Sequence, residues 1–382
     1  MYNTLERVSR GWCEIYNKFV SRSIWSPGRS ARARRLGQPS PAEAVFKSLP
    51  PRGAGGYSGR MKKLLLLAAL HSLAWARPLD ARLSGYEYAY PVQTLELQAQ
   101  QRTLEMAYMD VKPAKPNGQT VLLLHGKNFS GAYWAKTIRL LSDRGFRVVV
   151  PDQISFGKSS KPRNFQFSFQ EMAYGTDRLL EHLKLSQVHL VVHFLGGMLG
   201  TRYTLMHPEK VASLTLVNPI GLEDWKLWAP YHSVDQNYAS DQKSDVKAYM
   251  RENHFHGEWK PEYDYLTEIP QGWKEGPDKD LIAWDSALTF DMVFTQPVVY
   301  EFPKIKVPTL LIIGQLDTTA IGKAWASPGA KARLGHYPEL GKRVRDQIEG
   351  AQLVEIEGVG HLPQVEKWDE YSQALVKFLS QY

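Results

Sequence analysis

Short apolar runs alternate with helix-spaced segments along most of this chain. Residues 93–98 and 103–111 alternate polar and apolar positions and read as two paired strands. Residues 120–124 are a continuous apolar run and read as a buried strand, followed by His125-Gly126. Helical spacing holds over 134–144 until Gly145 stops it, and residues 146–150 form the next strand, closed by Pro151-Asp152. Residues 168–183 are amphipathic at the helical period, with Ser168 placed to cap the first turn. A strand at 188–192 runs into a Gly196-Gly197 turn and a helix to about residue 206. Strands follow at 211–217, 309–313 and 353–356, and a closing helix covers 367–379. Strands with few polar positions need cover on both faces, so the order predicts an α/β fold: a mainly parallel central sheet flanked by helices.

One stretch breaks the alternation. Residues 222–304 lie between two sheet strands and are dense in aromatics, among them Trp225, Trp228, Trp259, Trp273 and Trp284. They read as helices joined by Gly- and Pro-containing turns. A long insertion at the C-terminal edge of a parallel sheet stands where such sheets bind ligands. The prediction is a helical cap over residues 222–304, with the core formed by 77–221 and 305–382.

Composition changes the picture at the N-terminus. The net charge of +8 would suggest nucleic acid or a membrane surface as partner. Residues 1–60, however, hold eleven basic and three acidic residues and so carry all of it; the rest is balanced, with 36 of each. The charge therefore describes a leading stretch rich in Arg, Ser, Pro and Gly, which reads as disordered, and no motif supports a nucleic-acid partner. Met61-Lys62-Lys63, the apolar run 64–70 and Ala74-Trp75-Ala76 have the three parts of a secretory signal. Cleavage is expected after Ala76, giving a periplasmic or secreted protein from Arg77. The apolar run is far below the ~20 residues of a membrane span. Because such a signal belongs at the start of a chain, translation is expected to begin at Met61; an organellar transit peptide is the rival reading. The one cysteine, Cys13, leaves no thiol nucleophile in the domain.

Three signals carry chemistry. His125-Gly126-Lys127-Asn128 follows a strand, where a turn can aim N–H groups at a developing oxyanion. Val192-His193-Phe194-Leu195-Gly196-Gly197 lies between strand and helix, where a nucleophile elbow of pattern G-x-S-x-G belongs. Its sharp turn needs small neighbours, and Gly196 and Gly197 supply them on the helix side. Phe194 stands at the nucleophile position. Asp317 and His361 each follow a strand, and Asp317 can orient the imidazole of His361 and stabilise its cation. The chain order of elbow, acid and histidine is the order of the hydrolases that use this elbow.

From about Gln93 to Tyr382 the sequence resembles the α/β-hydrolase superfamily, especially capped ester, lactone and carbon–carbon bond hydrolases. The resemblance rests on His125-Gly126, the run Pro151 to Ser159, the elbow, Asn218-Pro219, Asp317 and Gly360-His361. It implies that Lys127 and Leu195 donate the oxyanion N–H groups, that Asp317 is the triad acid and that His361 is the general base. It implies no metal or organic cofactor, and a small apolar substrate. Three positions depart from the pattern: Ser155 and Val192 replace glycines, and Phe194 replaces the nucleophilic serine. Phenylalanine has no lone pair to attack a carbonyl, and losing a triad nucleophile costs on the order of 10⁶ in turnover. Two functions follow: an impaired hydrolase, or a non-catalytic protein that holds a small apolar ligand. The alternatives within the site are Glu223 or Asp224 as the acid, Ser130, Ser159 or Ser160 as a stand-in nucleophile, and a metal at His254 and His256. His193 reads as structural.

Overall fold

The structure, a computed structural model, describes residues 77–382. The basic stretch 1–60 and the expected signal segment 61–76 lie outside the described residues. Eight strands form one sheet: β1 (Val92–Ala99), β2 (Arg102–Val111), β3 (Thr120–Leu124), β4 (Arg147–Pro151), β5 (Val188–Phe194), β6 (Val211–Pro219), β7 (Thr309–Gly314) and β8 (Gln352–Ile356). Their order is β1-β2-β4-β3-β5-β6-β7-β8. The β1–β2 hairpin and the β2–β4 pair are antiparallel, and β3 to β8 all run parallel.

Every residue of β5 and of β7 is buried, as the unbroken apolar runs require. The period of two sorts their side chains between two cores. Leu122, Leu190, Val192, Leu311 and Ile313 face one; Val121, Leu123, Val191, Leu310 and Ile312 face the other. Helices cover both faces: α1 (Ala135–Ser142), α2 (Phe169–His182) and α3 (Leu195–Met206) come before the insertion. In α2 the Ser168 hydroxyl accepts the Glu171 N–H at 3.0 Å, the cap that the sequence predicts.

Residues 222–304 form the helical insertion, with α4 (Val234–Lys243), α5 (Val246–His254), α6 (Tyr265–Glu275) and α7 (Lys279–Thr295) between β6 and β7. After β7 come α8 (Pro328–Lys331), α9 (Tyr337–Gln347), α10 (Pro363–Glu366) and α11 (Trp368–Leu379). A separate apolar cluster of Met250, Phe255, Tyr263 and Leu266 from the insertion closes on Phe129 and Leu362 of the core loops. The start of the described chain packs on the insertion. Leu79 N–H donates to Gly272 O at 2.9 Å, Ala81 N–H to Asp278 Oδ2 at 2.8 Å, and Trp273 Nε1 to Asp80 O at 3.0 Å. No helix among the described residues is long and apolar enough to cross a membrane.

The strand-to-helix junction that positions the site is direct: β5 ends on Phe194 and α3 begins on Leu195. Val192, a glycine in the usual pattern, is accommodated one turn into α3. A Cβ on Gly200 would lie 2.8 Å from a γ-methyl of Val192, so the volume missing at 200 is filled from 192. The two positions have exchanged bulk. Gly200→Ala should therefore overpack this contact and cost about 2 kcal/mol. In a Val192→Gly background the same change should cost much less. A double-mutant cycle by denaturant unfolding reads the coupling, expected above about 1 kcal/mol; additive effects would refute the exchange.

Candidate active site

The C-terminal ends of β3 and β4 are tied together first. His125, after β3, makes a contact of 2.9 Å between Nδ1 and Gly126 O, and its Nε2 accepts the Gln153 N–H at 3.1 Å. Those partners assign the proton to Nδ1. Asp152, after β4, accepts the Gly131 N–H at 2.6 Å, the Tyr88 hydroxyl at 2.8 Å and the Lys158 N–H at 2.7 Å. The run from Pro151 to Ser159 is thus a loop wound around one carboxylate. Ser155 takes a positive φ of 81°, the left-handed region where glycine is at home. Its hydroxyl donates to Asp285 of α7, a bond that glycine cannot make. Burial raises the Asp285 carboxyl to about 6, partly offset by the Ser155 bond and the nearby cations of Lys161 and Arg163. Next along α7, Ser286 accepts Lys127 Nζ at 2.8 Å. Burial pushes that amine down to about 8, with Asp241 opposing the shift. Two adjacent residues of α7 therefore dock the insertion onto the loops after β3 and β4.

Phe194 occupies the tip of the elbow with φ 57° and ψ −117°. Non-glycine residues adopt such angles only where the surroundings enforce them. Gly196 permits the turn, because a Cβ there would stand 2.5 Å from Leu124 O. The benzyl group is 2% exposed. It packs on Gly126 so closely that a Cβ there would meet its ring at 2.8 Å.

The structure brings Phe194, Asp317 and His361 together. The Phe194 ring stands edge-to-face on the imidazole of His361, centroids 4.6 Å apart and planes at 89°. His361 Nδ1 and Asp317 Oδ2 are 2.7 Å apart, and both side chains are fully buried. Asp317 also accepts Asn218 Nδ2 at 2.7 Å and the Thr319 N–H at 2.8 Å. Burial pushes this carboxyl upward, but the neighbouring His361 and the hydrogen bonds outweigh it, so it ionises below the ordinary carboxylate range. With Nδ1 engaged by the acid, His361 Nε2 is buried and has no partner among the described residues.

The oxyanion candidates flank this arrangement. Lys127 follows β3 in the turn and Leu195 opens α3, and neither N–H donates to a protein acceptor among the described residues. His193 is engaged on both sides: its Nε2 meets His361 O and its Nδ1 the Tyr133 hydroxyl, both at 3.0 Å. Burial and the nearby His361 hold it neutral, its pKa well below the usual imidazole value.

The other candidates go elsewhere. Ser130 caps the short 3₁₀ turn Gly131–Trp134. Ser159 donates to Asp152 O, and Ser160 accepts the Glu105 N–H. Glu223 accepts the Gly335 N–H at 2.9 Å, and Asp224 caps the turn at Trp225. His254 and His256 diverge: His254 stacks on His361 with centroids 4.8 Å apart, whereas His256 lies 3.6 Å from Glu366. Sequence reasoning missed His254 and Thr319 as neighbours of the dyad. Thr319 Oγ1 lies 3.3 Å from His361 Nδ1 and 3.2 Å from Asn253 O. It stands on the acid's side of the ring, away from Nε2.

Sheet order, elbow, acid and histidine together define a hydrolase-type scaffold. A family model described as alpha/beta hydrolase fold matches residues 119–367, and the chain belongs to that family. A crystal structure titled a probable hydrolytic enzyme, from Pseudomonas aeruginosa PAO1, is 47% identical, covers 80% of this chain and 99% of that one, and superposes with a TM-score of 0.79. A haloalkane dehalogenase of Mycolicibacterium paratuberculosis is 32% identical over 171 residues, 41% of this chain and 56% of that protein. A cis-3-alkyl-4-alkyloxetan-2-one decarboxylase of Xanthomonas campestris is 35% identical over 123 residues, 30% of this chain and 40% of that protein. The chain thus spans about half the length of these two curated relatives.

The Asp285 environment predicts a pH-dependent contribution to stability. Its folded carboxyl holds a proton up to about 6, above the ordinary 3.8. The stabilisation is therefore complete below the unfolded value and is lost as pH rises through the folded one. Asp285→Asn removes this titration. Relative to the parent, the variant should gain roughly 2–3 kcal/mol between pH 4 and pH 8. Urea unfolding of both proteins at the two pH values measures the shift; a constant difference would show that Asp285 ionises normally in the fold.

Proposed function

We propose that this chain is built for hydrolysis of an ester-like bond in a small apolar substrate and that Phe194 arrests it at the attacking step. The observation that carries this reading is the unpartnered Nε2 of His361, buried beside the ring of Phe194 while Nδ1 is held by Asp317. A serine hydroxyl at the tip of the same turn would supply the missing partner. Its proton would pass to His361, Asp317 would stabilise the resulting imidazolium, and the N–H groups of Lys127 and Leu195 would receive the oxyanion. As the tetrahedral intermediate collapses, the ester C–O bond would break and His361 would pass its proton to the departing alcohol, leaving an acyl-serine; water, deprotonated by His361, would then release the acid and the proton would return to the serine. No step needs a metal or organic cofactor. The probable hydrolytic enzyme from Pseudomonas aeruginosa, similar across 99% of its length, supports the reaction class.

The helical insertion is read as a cap. It docks by Asp285 and Ser286 on the loops after β4 and β3, and its His254 covers one face of the His361 ring. A non-catalytic ligand-binding role draws less support, because a binder has no need of an imidazole oriented by a buried carboxylate.

Export to the periplasm or beyond, with cleavage after Ala76, remains part of this reading. It rests on the signal-like run 61–76.

Two experiments test these readings. Phe194→Ser should raise turnover of short aryl esters by about 10³ or more over the parent, since the missing nucleophile is worth up to ~10⁶. Equal rates in parent and variant would place the chemistry elsewhere. Intact-mass analysis of the natively expressed protein should find it outside the cytoplasm with Arg77 as the first residue; protein retained in the cytoplasm with segment 61–76 uncut would reject the export reading.

A further inference from the structure

His254 is a costly residue in its position. It is 1% exposed, and beyond the backbone of the adjacent Asn253 its ring nitrogens have no hydrogen-bond partner among the described residues. Leaving buried polar atoms unpaired costs about 1–3 kcal/mol each. If the position served only to cover His361, a phenylalanine would stack without that penalty.

The side chain is also held in place. His361 N–H donates to His254 O at 2.8 Å, and Thr319 Oγ1 donates to the adjacent Asn253 O at 3.2 Å. The carbonyl of His254 lies where a Cβ of residue 360 would have to be, so Gly360 admits this close approach. The ring stacks on His361 with an interplanar angle of 21°, and Tyr249 meets it edge-on at 5.5 Å. Burial and the neighbouring His361 push its pKa down to about 3, so the ring is neutral at ordinary pH. A neutral imidazole presents one N–H donor and one lone-pair acceptor.

It adjoins the ring of Phe194, 6.0 Å away, which lies beside both imidazoles, and the ring of Phe129, 5.9 Å away. A fixed imidazole with an unpaired nitrogen, bordering the reacting position, is preorganised for a polar group on a ligand. We propose that His254 is a substrate-binding residue, and that the site takes carbonyl compounds bearing a second hydrogen-bonding oxygen next to the reacting carbonyl, such as 2-hydroxy esters. This rests on the hydrolytic reading for its reaction, and on the buried imidazole itself for its selectivity.

The test separates the two. In the Phe194→Ser chain, phenyl lactate and phenyl propanoate are hydrolysed in parallel, each rate normalised to its uncatalysed rate. In the Phe194→Ala chain, binding of lactate and of propanoate is measured by calorimetry, with no turnover required. The expected result is a preference of about tenfold for the hydroxy compound in both assays, falling to about one when His254→Phe is added. His254→Phe keeps the stacked ring and so keeps His361 covered. Preference in binding without turnover of either ester would sustain the role of His254 and reject the hydrolytic reading. Turnover with no preference in either assay, or a preference that survives His254→Phe, would overturn the role of His254.

Discussion

The turn at residue 194 is the constraint on which the site depends. A backbone at φ 57° leaves a side chain pointing off the end of the sheet, between the turn after β3 and the loop carrying His361. Nothing local to a phenylalanine favours that conformation. It is enforced from outside, by the full burial of β5, the pairing of Phe194 with Pro219 of β6 and the direct start of α3. Such enforced strain is a signature of functional positions. The neighbouring pair is held as firmly: Asn218 and Thr319 bond Asp317, and His193 meets the carbonyl of His361.

The three departures from the hydrolase pattern differ in kind. Ser155 at a positive φ is matched by Asp285, and Val192 is matched by the missing side chain of Gly200. Each has a physical counterpart elsewhere in the chain, so each belongs to a consistent packing solution. Phe194 has space but no chemical counterpart. Its ring fits against Gly126 and His361, yet His361 Nε2 is left without a bond.

The sheet was legible because its strands are unbroken apolar runs with turn residues at their ends, and the alternation fixed which face each side chain takes. The dyad was legible because acid and histidine each follow a strand, and parallel strands bring such positions to one edge. Helix α9 was overlooked although Tyr337, Leu340 and Val344 keep the helical period, because charged residues dominate its other face. The role of His254 was beyond reach for a different reason. Its partner in space, His361, is more than a hundred residues away, and only the fold of the insertion sets them face to face. The same holds for residues 77–86, which bond both to the core, through Arg82 to Glu105 and Lys158, and to α6 and the start of α7.

That last attachment has a consequence in time. The bond from Ala81 to Asp278 spans 197 positions of the chain. During synthesis residues 79–81 must wait for almost two hundred further residues before these partners emerge, whereas the adjoining Arg82 meets Glu105 and Lys158 far sooner. The segment is therefore tethered in two stages, to the sheet and its loops early and to the insertion late.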